Sequence, residues 1–414
     1  MVFILFFNRA IQPFSVVYDG FHERRCIVEY LKKINGEENV KSLGWRNTNK
    51  YGKEITHTTA YTSDQRIFIV EYENETGKHL KSFFVKRPLE VTQKHLEQYK
   101  LHEKEVYAYK TILSEFEKYV DYSIIPKYYY SDNKNNLVLE DLRAEGYRTY
   151  KQHEFLDFEH SVKVMQVLAT YHALTHKLIT VSTQLFDHDA AKDYAHKIYN
   201  EDKNFHTLCR EGILKILNRV DSSFVKKYED KLKIFVDNVT QNSANEIKPK
   251  SDSFKVFAHG DFRSGNLMFK YDKYQKLEDI KIIDHQTGYI SDPSIDILNY
   301  FTQSVEFEIF EKYFYLLLEI YVNSLNRLLK YLRCDQIYTI EELRSDMSKK
   351  YNTIICHTIL HLPFALSDPD DVDMDLLQND KSSLDNKHFQ QLSEKWFKYF
   401  IKNSVNIPSF GIFF

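Results

Sequence analysis

The sequence predicts an α+β chain in two parts, a small strand-rich N-terminal part and a larger, mainly helical remainder. Three observations predict it. β-Favouring runs cluster before about residue 140, helical periodicity governs most of the chain beyond that point, and the stretch Lys255 to Gln286 interrupts the helices with three short apolar runs set apart by polar turns. A chain of 414 residues can bury a large core. Lys and Arg total 56 against 59 Asp and Glu, a formal net charge of -3, which leaves no basic excess to neutralise a phosphate backbone. Nucleic acid is therefore not an expected partner, and a small soluble molecule is. Cys26, Cys209, Cys334 and Cys356 lie far apart with no C-x-x-C pair, which argues against a zinc ribbon or disulfide scaffold and points to a reducing compartment.

In chain order, Val2 to Phe7 is an apolar run with no basic residue before it, too short to span a membrane and read as an edge strand or loosely packed tail rather than a targeting segment. Arg24 to Ile34 places Ile27, Tyr30, Leu31 and Ile34 at helical spacing, and Gly36 and Gly44 mark breaks after it. Ile67 to Tyr72 and Leu80 to Val85 read as two strands around a hairpin loop from Glu73 to Lys78. Glu90 to Phe116 is helical in pattern, Tyr119 to Pro126 breaks it, and Lys127 to Tyr130 and Leu137 to Leu139 form two more strands. Phe158 to Leu178 gathers Val162, Met165, Leu168, Ala169 and His172 on one helix face. Further helices are predicted over Ala190 to Asn200, Phe205 to Leu217, Phe224 to Val239, residues 305 to 332 and Ile340 to Leu366. The acidic run Asp368 to Asp371 reads as a solvated loop, and the 30 Tyr and 30 Phe suit an aromatic-rich core. His172 and His176 stand four apart, the offset of paired zinc ligands, but no H-E-x-x-H accompanies them, so they are read as buried, hydrogen-bonded histidines.

The chemistry concentrates in Lys255 to Gln286. Val256 to Ala258, Leu267 to Phe269 and Ile280 to Ile283 are its three strands, with Asp261, Asn266 and Asp284 at their ends. Phosphoryl transfer from ATP asks a protein for an aspartate to accept the hydroxyl proton, and for an Asn and a second Asp to hold Mg2+ against the phosphates. The protein-kinase pattern H-R-D-x-x-x-x-N puts four residues between base and Asn, and here Phe262, Arg263, Ser264 and Gly265 separate Asp261 from Asn266. Asp284 follows an apolar strand where kinases place D-F-G, although the triplet here is Asp284-His285-Gln286. Lys86 ends a strand, from which a lysine can reach the donor phosphates, and Glu105 on the following helix can hold it as an ion pair.

The runs HGDFRSGNLMF, IIDHQ and DPSIDIL, together with SFFVKRP, HEKEVYAY, LVLEDL and YHALTH upstream in order, resemble the ecdysteroid kinase-like family of arthropods, within the aminoglycoside phosphotransferase and choline kinase group. The resemblance covers roughly residues 40 to 400. It implies a bilobal protein-kinase-like fold, with an ATP-binding lobe over residues 1-140 and a helical lobe over 141-414 that carries the catalytic loop, the Mg2+ site and the acceptor pocket. It makes Lys86 and Glu105 the phosphate-steadying pair, Glu140 to Leu142 the hinge whose backbone meets adenine, Asp261 the base, and Asn266 and Asp284 the metal ligands. ATP and Mg2+ are the implied cofactors. The implied acceptor is a hydroxyl of an ecdysteroid or of a hydroxylated or glucosylated xenobiotic, and the implied location is cytoplasmic. A choline or ethanolamine kinase is the alternative enzyme, which would need an acidic, aromatic cage for its cationic substrate. A pseudokinase is the alternative outside catalysis, because the phosphate-covering stretch Tyr51 to Thr59 holds a single glycine, Gly52. Arg263 and Gly265 stand where the family more often has Trp and Asn, and His285 where it often has Phe. Asp296 and His259 are expected to brace the loop rather than meet substrate.

Overall fold

The computed structural model describes residues 21–35, 41–48, 59–60, 63–74, 76–88, 99–132, 136–150, 154–191, 203–218, 222–247, 253–350, 352–358, 395–396 and 399. The N-terminal run Val2 to Phe7, most of the phosphate-covering stretch Tyr51 to Thr59 and the acidic run Asp368 to Asp371 lie outside them. The chain divides into two compact units, one taking in Val2–Arg148 and Lys281–Gln286, the other Thr149–Ile280 and Thr287–Phe414.

The first unit is built on an antiparallel sheet. After helix α1 (Phe21–Asn35) come β1 (Lys41–Thr48), the two-residue β2 (Thr59–Ala60), β3 (Ser63–Asn74), β4 (Gly77–Pro88), β5 (Tyr128–Ser131) and β6 (Leu137–Glu140), in the order β1-β3-β4-β6-β5 with β2 beside β3. Helix α2 (Leu101–Tyr107) lies between β4 and β5 in the sequence, and the short β7 (Tyr147–Thr149) follows β6. Alternation along β4 sends Phe83 and Val85 to one face, where they pack with Ile27, Tyr30 and Leu31 of α1 and with Phe68 and Val70 of β3. Lys86, one residue on, points to the opposite face. The expected hairpin loop of six residues shrinks to a tight turn, because Glu73 pairs with Lys78 and Asn74 with Gly77. Polar Glu73 and Lys78 carry no strand signal of their own; register continues the ladder through them, Gly77 takes φ 115, and the Asn74 Oδ1 accepts from the Thr76 N–H at 2.9 Å. The predicted helix over Glu90 to Phe116 also changes: residues 90–98 lie outside the described ones, and beyond α2 the backbone widens to a π-helical turn over Ala108–Ile112, then tightens to 3₁₀ over Leu113–Lys118.

The second unit is mostly helical. Helix α3 (Phe158–Val181) is capped by Asp157, whose carboxylate accepts the His160 N–H. It is buried on nearly every side from Tyr171 to His176 because the helix Phe307–Tyr331 and the strand Val256–Ala258 both pack on it, so its pattern is that of a central helix rather than one with a single apolar face. Helices α4 (Lys203–Leu217) and α5 (Ser222–Glu246) come next, while of the helix predicted over Ala190 to Asn200 only Ala190 and Ala191 are described, and they end a 3₁₀ turn. Of strands β8 (Val256–Ala258), β9 (Leu267–Tyr271), β10 (Leu277–Ile282) and β11 (Tyr289–Ser291), β9 and β10 are sequential neighbours that pair, and β8 pairs antiparallel with β11 across them in the sequence. Then come α6 (Ser294–Ser304), α7 (Phe307–Tyr331) and α8 (Ile340–Met347). Phe310 anchors an aromatic cluster here, 4.6 Å from the Trp396 ring and 4.7 Å from that of Phe314.

Candidate active site

Two clusters hold the residues that the sequence singles out, one in each unit. In the first, Lys86 on β4 lies with its Nζ 2.7 Å from the Glu105 Oε2 of α2 and 2.5 Å from the Asp284 Oδ1. Lys86 and Glu105 are almost wholly buried, whereas the Asp284 side chain is about a quarter exposed. One cation thus meets two carboxylates. Burial works against the Lys86 charge, but Asp284 and Glu105 outweigh it and hold the ammonium above the usual lysine value. Glu105 moves the other way in effect: burial, opposed by Lys86 and aided by the Asp284 charge, pushes its carboxyl up to about 7.

The segment that carries Asp284 is fixed from several directions. The Ile282 N–H donates to the Ile124 carbonyl at 2.8 Å, the Lys281 ammonium donates to the Ser123 carbonyl, and the His285 ring stands edge-on to Tyr109, 5.1 Å away, in the π-helical turn that continues α2. Asp284 itself has φ 67, an uncommon left-handed backbone for a residue with a side chain, of the kind that persists where the surroundings enforce it. His102, one helical turn before Glu105, is driven down to about 4 by burial and by the Lys86 charge. At the end of β6, the Glu140 N–H donates to the Lys127 carbonyl, and the Leu142 carbonyl accepts from the Tyr147 N–H at 2.9 Å. The buried Asp141 carboxylate takes the Ser82 hydroxyl at 2.5 Å and the Arg143 N–H at 3.2 Å, which folds the chain sharply after Glu140.

In the second cluster Asp261 and Asn266 meet directly. The Asn266 Nδ2 donates to the Asp261 Oδ2 at 2.9 Å and to its backbone carbonyl at 2.8 Å, which leaves Oδ1 of the amide as its acceptor. The Arg263 Nε donates to both Asp261 oxygens, at 3.1 and 3.3 Å. This loop is held from below by α6. The Asp296 Oδ2 accepts the His259 N–H at 2.7 Å and the Oδ1 accepts the Gly260 N–H at 2.9 Å. The His172 Nε2 lies 3.1 Å from the same Oδ2, and its Nδ1 lies 2.7 Å from the Tyr321 hydroxyl. A carboxylate can only accept, so Nε2 carries a proton; burial, reinforced by the Asp296 and Asp292 charges, keeps the Tyr321 phenol well above its usual value and hence a donor. Gly260 needs its φ of 79, and a Cβ there would sit 2.5 Å from the Thr287 carbonyl oxygen. His259 turns its Nδ1 to the Asp261 N–H at 3.3 Å. His176 faces the Lys255 carbonyl at 2.8 Å and stacks on Phe254 at 4.0 Å.

Sequence reading finds the chemically obvious groups and misses two of their supports. Asn299, whose Nδ2 donates to the Gly260 carbonyl at 3.4 Å, and Ser304, whose hydroxyl accepts the Ser264 N–H at 2.7 Å, both project from α6 toward the loop. Their signal is a set of polar residues on a helix buried from end to end, Asp296 and Asn299 being three apart and so on one face.

A buried Lys–Glu pair beside an aspartate, and an Asp–Asn loop braced by a helix, are residue sets of the kind that phosphoryl transfer uses, and the family match makes the protein a small-molecule kinase, a phosphotransferase with a hydroxyl acceptor. The sequence model of the ecdysteroid kinase-like family matches residues 58–334, and the chain belongs to that family. Among solved structures it is similar to macrolide 2'-phosphotransferase MphH from Brachybacterium faecium, at 11% identity over 82% of this chain and 96% of that one, with a TM-score of 0.36. It is also similar to spectinomycin phosphotransferase APH(9)-Ia in an AMP-bound complex, at 14% identity over 84% and 91% with a TM-score of 0.36, and to a glucosamine kinase, at 10% over 93% and 87% with a TM-score of 0.36. No curated protein sequence matches the chain.

Proposed function

We propose that the chain transfers the γ-phosphoryl group of ATP to a hydroxyl of a small, largely apolar molecule, an ecdysteroid or a hydroxylated or glucosylated xenobiotic. The observation that carries this reading is the Lys86–Glu105–Asp284 ion cluster together with the Asp261–Asn266 contact, since both sets have the residue types that the reaction demands. Asp261 accepts the proton as the acceptor oxygen forms its bond to phosphorus and the bond to the ADP oxygen breaks. Lys86, oriented by Glu105, steadies the donor phosphates, and the backbone from Glu140 to Leu142 takes the adenine edge. Asn266 and Asp284 are the metal ligands of this proposal. Their donors fit Mg2+, because the Asn266 amide nitrogen is already spent on Asp261 and the amide keeps a hard oxygen as its acceptor, and Asp284 brings a carboxylate. When bound, Mg2+ supplies charge neutralisation across the transferring phosphate.

We place the reaction in the cytoplasm. None of the four cysteines is in a disulfide, in keeping with a reducing compartment, and among the described residues no helix is long and apolar enough to cross a membrane. The test is ATP turnover by the purified chain with Mg2+ across a panel of ecdysteroids, glucosides, phenols, choline and ethanolamine. Transfer to a sterol or glucoside is expected, and Asp261→Asn is expected to cut it by roughly 10² to 10⁴. Transfer to choline alone would replace the acceptor class, and nucleotide binding without transfer to any acceptor would make the chain a pseudokinase.

A further inference from the structure

We propose that Arg263, seated on Gly265, is a positioning residue that holds the Asp261 carboxylate ready to accept a proton. The inference rests on the reading of Asp261 as the base and goes beyond it. Asp261 is gripped from two sides: the Arg263 Nε reaches both carboxylate oxygens, at 3.1 and 3.3 Å, while the Asn266 Nδ2 takes Oδ2 at 2.9 Å. The two grips act on one carboxylate from different residues of the same loop, Arg263 and Asn266. Without Arg263 the side chain would lose the anchor that spans both of its oxygens, and misplacing a base by about 1 Å is costly in rate.

Gly265 is what admits the guanidinium. A Cβ on residue 265 would lie 2.4 Å from the Arg263 Nη1 and 3.4 Å from its Cζ, so any side chain there makes the guanidinium shift from its seat. Gly265 has no left-handed backbone to preserve, and its clash is with the far end of a flexible side chain, so alanine unseats Arg263 without disturbing the fold. The two positions therefore act as one unit. The side chains of Arg263 and Asp261 are 30% and 16% exposed, and a pair so close to solvent adds little to stability. Its effect belongs in turnover.

The test uses the full chain as wild type, Arg263→Ala, Arg263→Lys, Gly265→Ala, the Arg263→Ala/Gly265→Ala double variant and Asp261→Asn. In arginine-labelled protein the Arg263 Nε–H resonance, identified by its loss in Arg263→Lys, is expected to shift alike in Gly265→Ala and Asp261→Asn. MgATP turnover, with the acceptor that the panel identifies or with water where it identifies none, is expected to lose about tenfold in kcat in Arg263→Ala and in Gly265→Ala, with KM for MgATP within about twofold. The double variant is expected to be no worse than either single one, and Arg263→Lys to recover part of the loss. Unchanged kcat in Arg263→Ala, multiplying losses in the double variant, an unmoved resonance, or a change confined to KM would each overturn the inference. If Asp261→Asn abolishes turnover while Arg263→Ala does not, only this inference fails; if Asp261→Asn keeps wild-type turnover, the base assignment fails with it.

Discussion

Single residues in the first unit report how strongly Lys86 sets its surroundings. His102 is buried beside that permanent cation, and its pKa falls from 6.5 to about 4. The unfolded chain thus binds a proton between those values that the folded chain refuses. Stability contributed by neutral His102 is present above pH 6.5 and is lost as pH falls toward 4, by about 3 kcal/mol in all. Urea unfolding of wild type and His102→Gln at pH 7 and pH 4.5 checks the sign: the variant is expected to lose less stability on acidification. Glu105 presents the opposite case, a carboxyl raised by burial against the pull of the Lys86 charge.

At the scale of elements, α6 decides the shape of the loop after β8. It starts from Asp292-Pro293, where the Asp292 carboxylate accepts the Ser294 N–H at 3.1 Å. From there Asp296, Asn299 and Ser304 satisfy polar groups at His259, Gly260 and Ser264 in turn. Asp296→Asn keeps one acceptor oxygen but sets an N–H₂ against a backbone N–H, leaving a buried donor without a partner. A loss of about 2 to 4 kcal/mol is expected in chemical denaturation, with turnover falling alongside. Legibility differed sharply between elements. The α1, β3, β4 and α3 patterns were readable because apolar spacing is local, and Asp261 to Asn266 because the contact joins residues five apart. The tight turn after β3 and the π-helical turn after α2 were not, since the first is set by strand register and the second by packing, neither of which leaves a periodic mark.

For the molecule as a whole, each unit owns a core, and no covalent link ties distant parts together. Cys26, Cys209 and Cys356 are buried, Cys334 is partly so, and none is in a disulfide, so thermal unfolding is expected to be the same with and without reductant; a midpoint that falls on adding dithiothreitol would show a cross-link in solution. Nucleotide should stabilise the folded chain by mass action, by about 2.7 kcal/mol at a hundredfold excess over Kd. Calorimetry with MgATP on wild type and Lys86→Met is expected to show that gain in the first and most of it lost in the second.

The sequence by itself determined the α+β class and the family, and it named the groups proposed for phosphoryl transfer, because periodicity and short spacings are written along the chain. Tertiary structure alone decided which of them meet. Lys86 finds Asp284 across 198 positions, and His172 finds Asp296 across 124, through packing that no local pattern encodes. It alone also showed that Gly265 is the seat of a guanidinium, since an absent Cβ reveals its purpose only when the atom that fills its place is known.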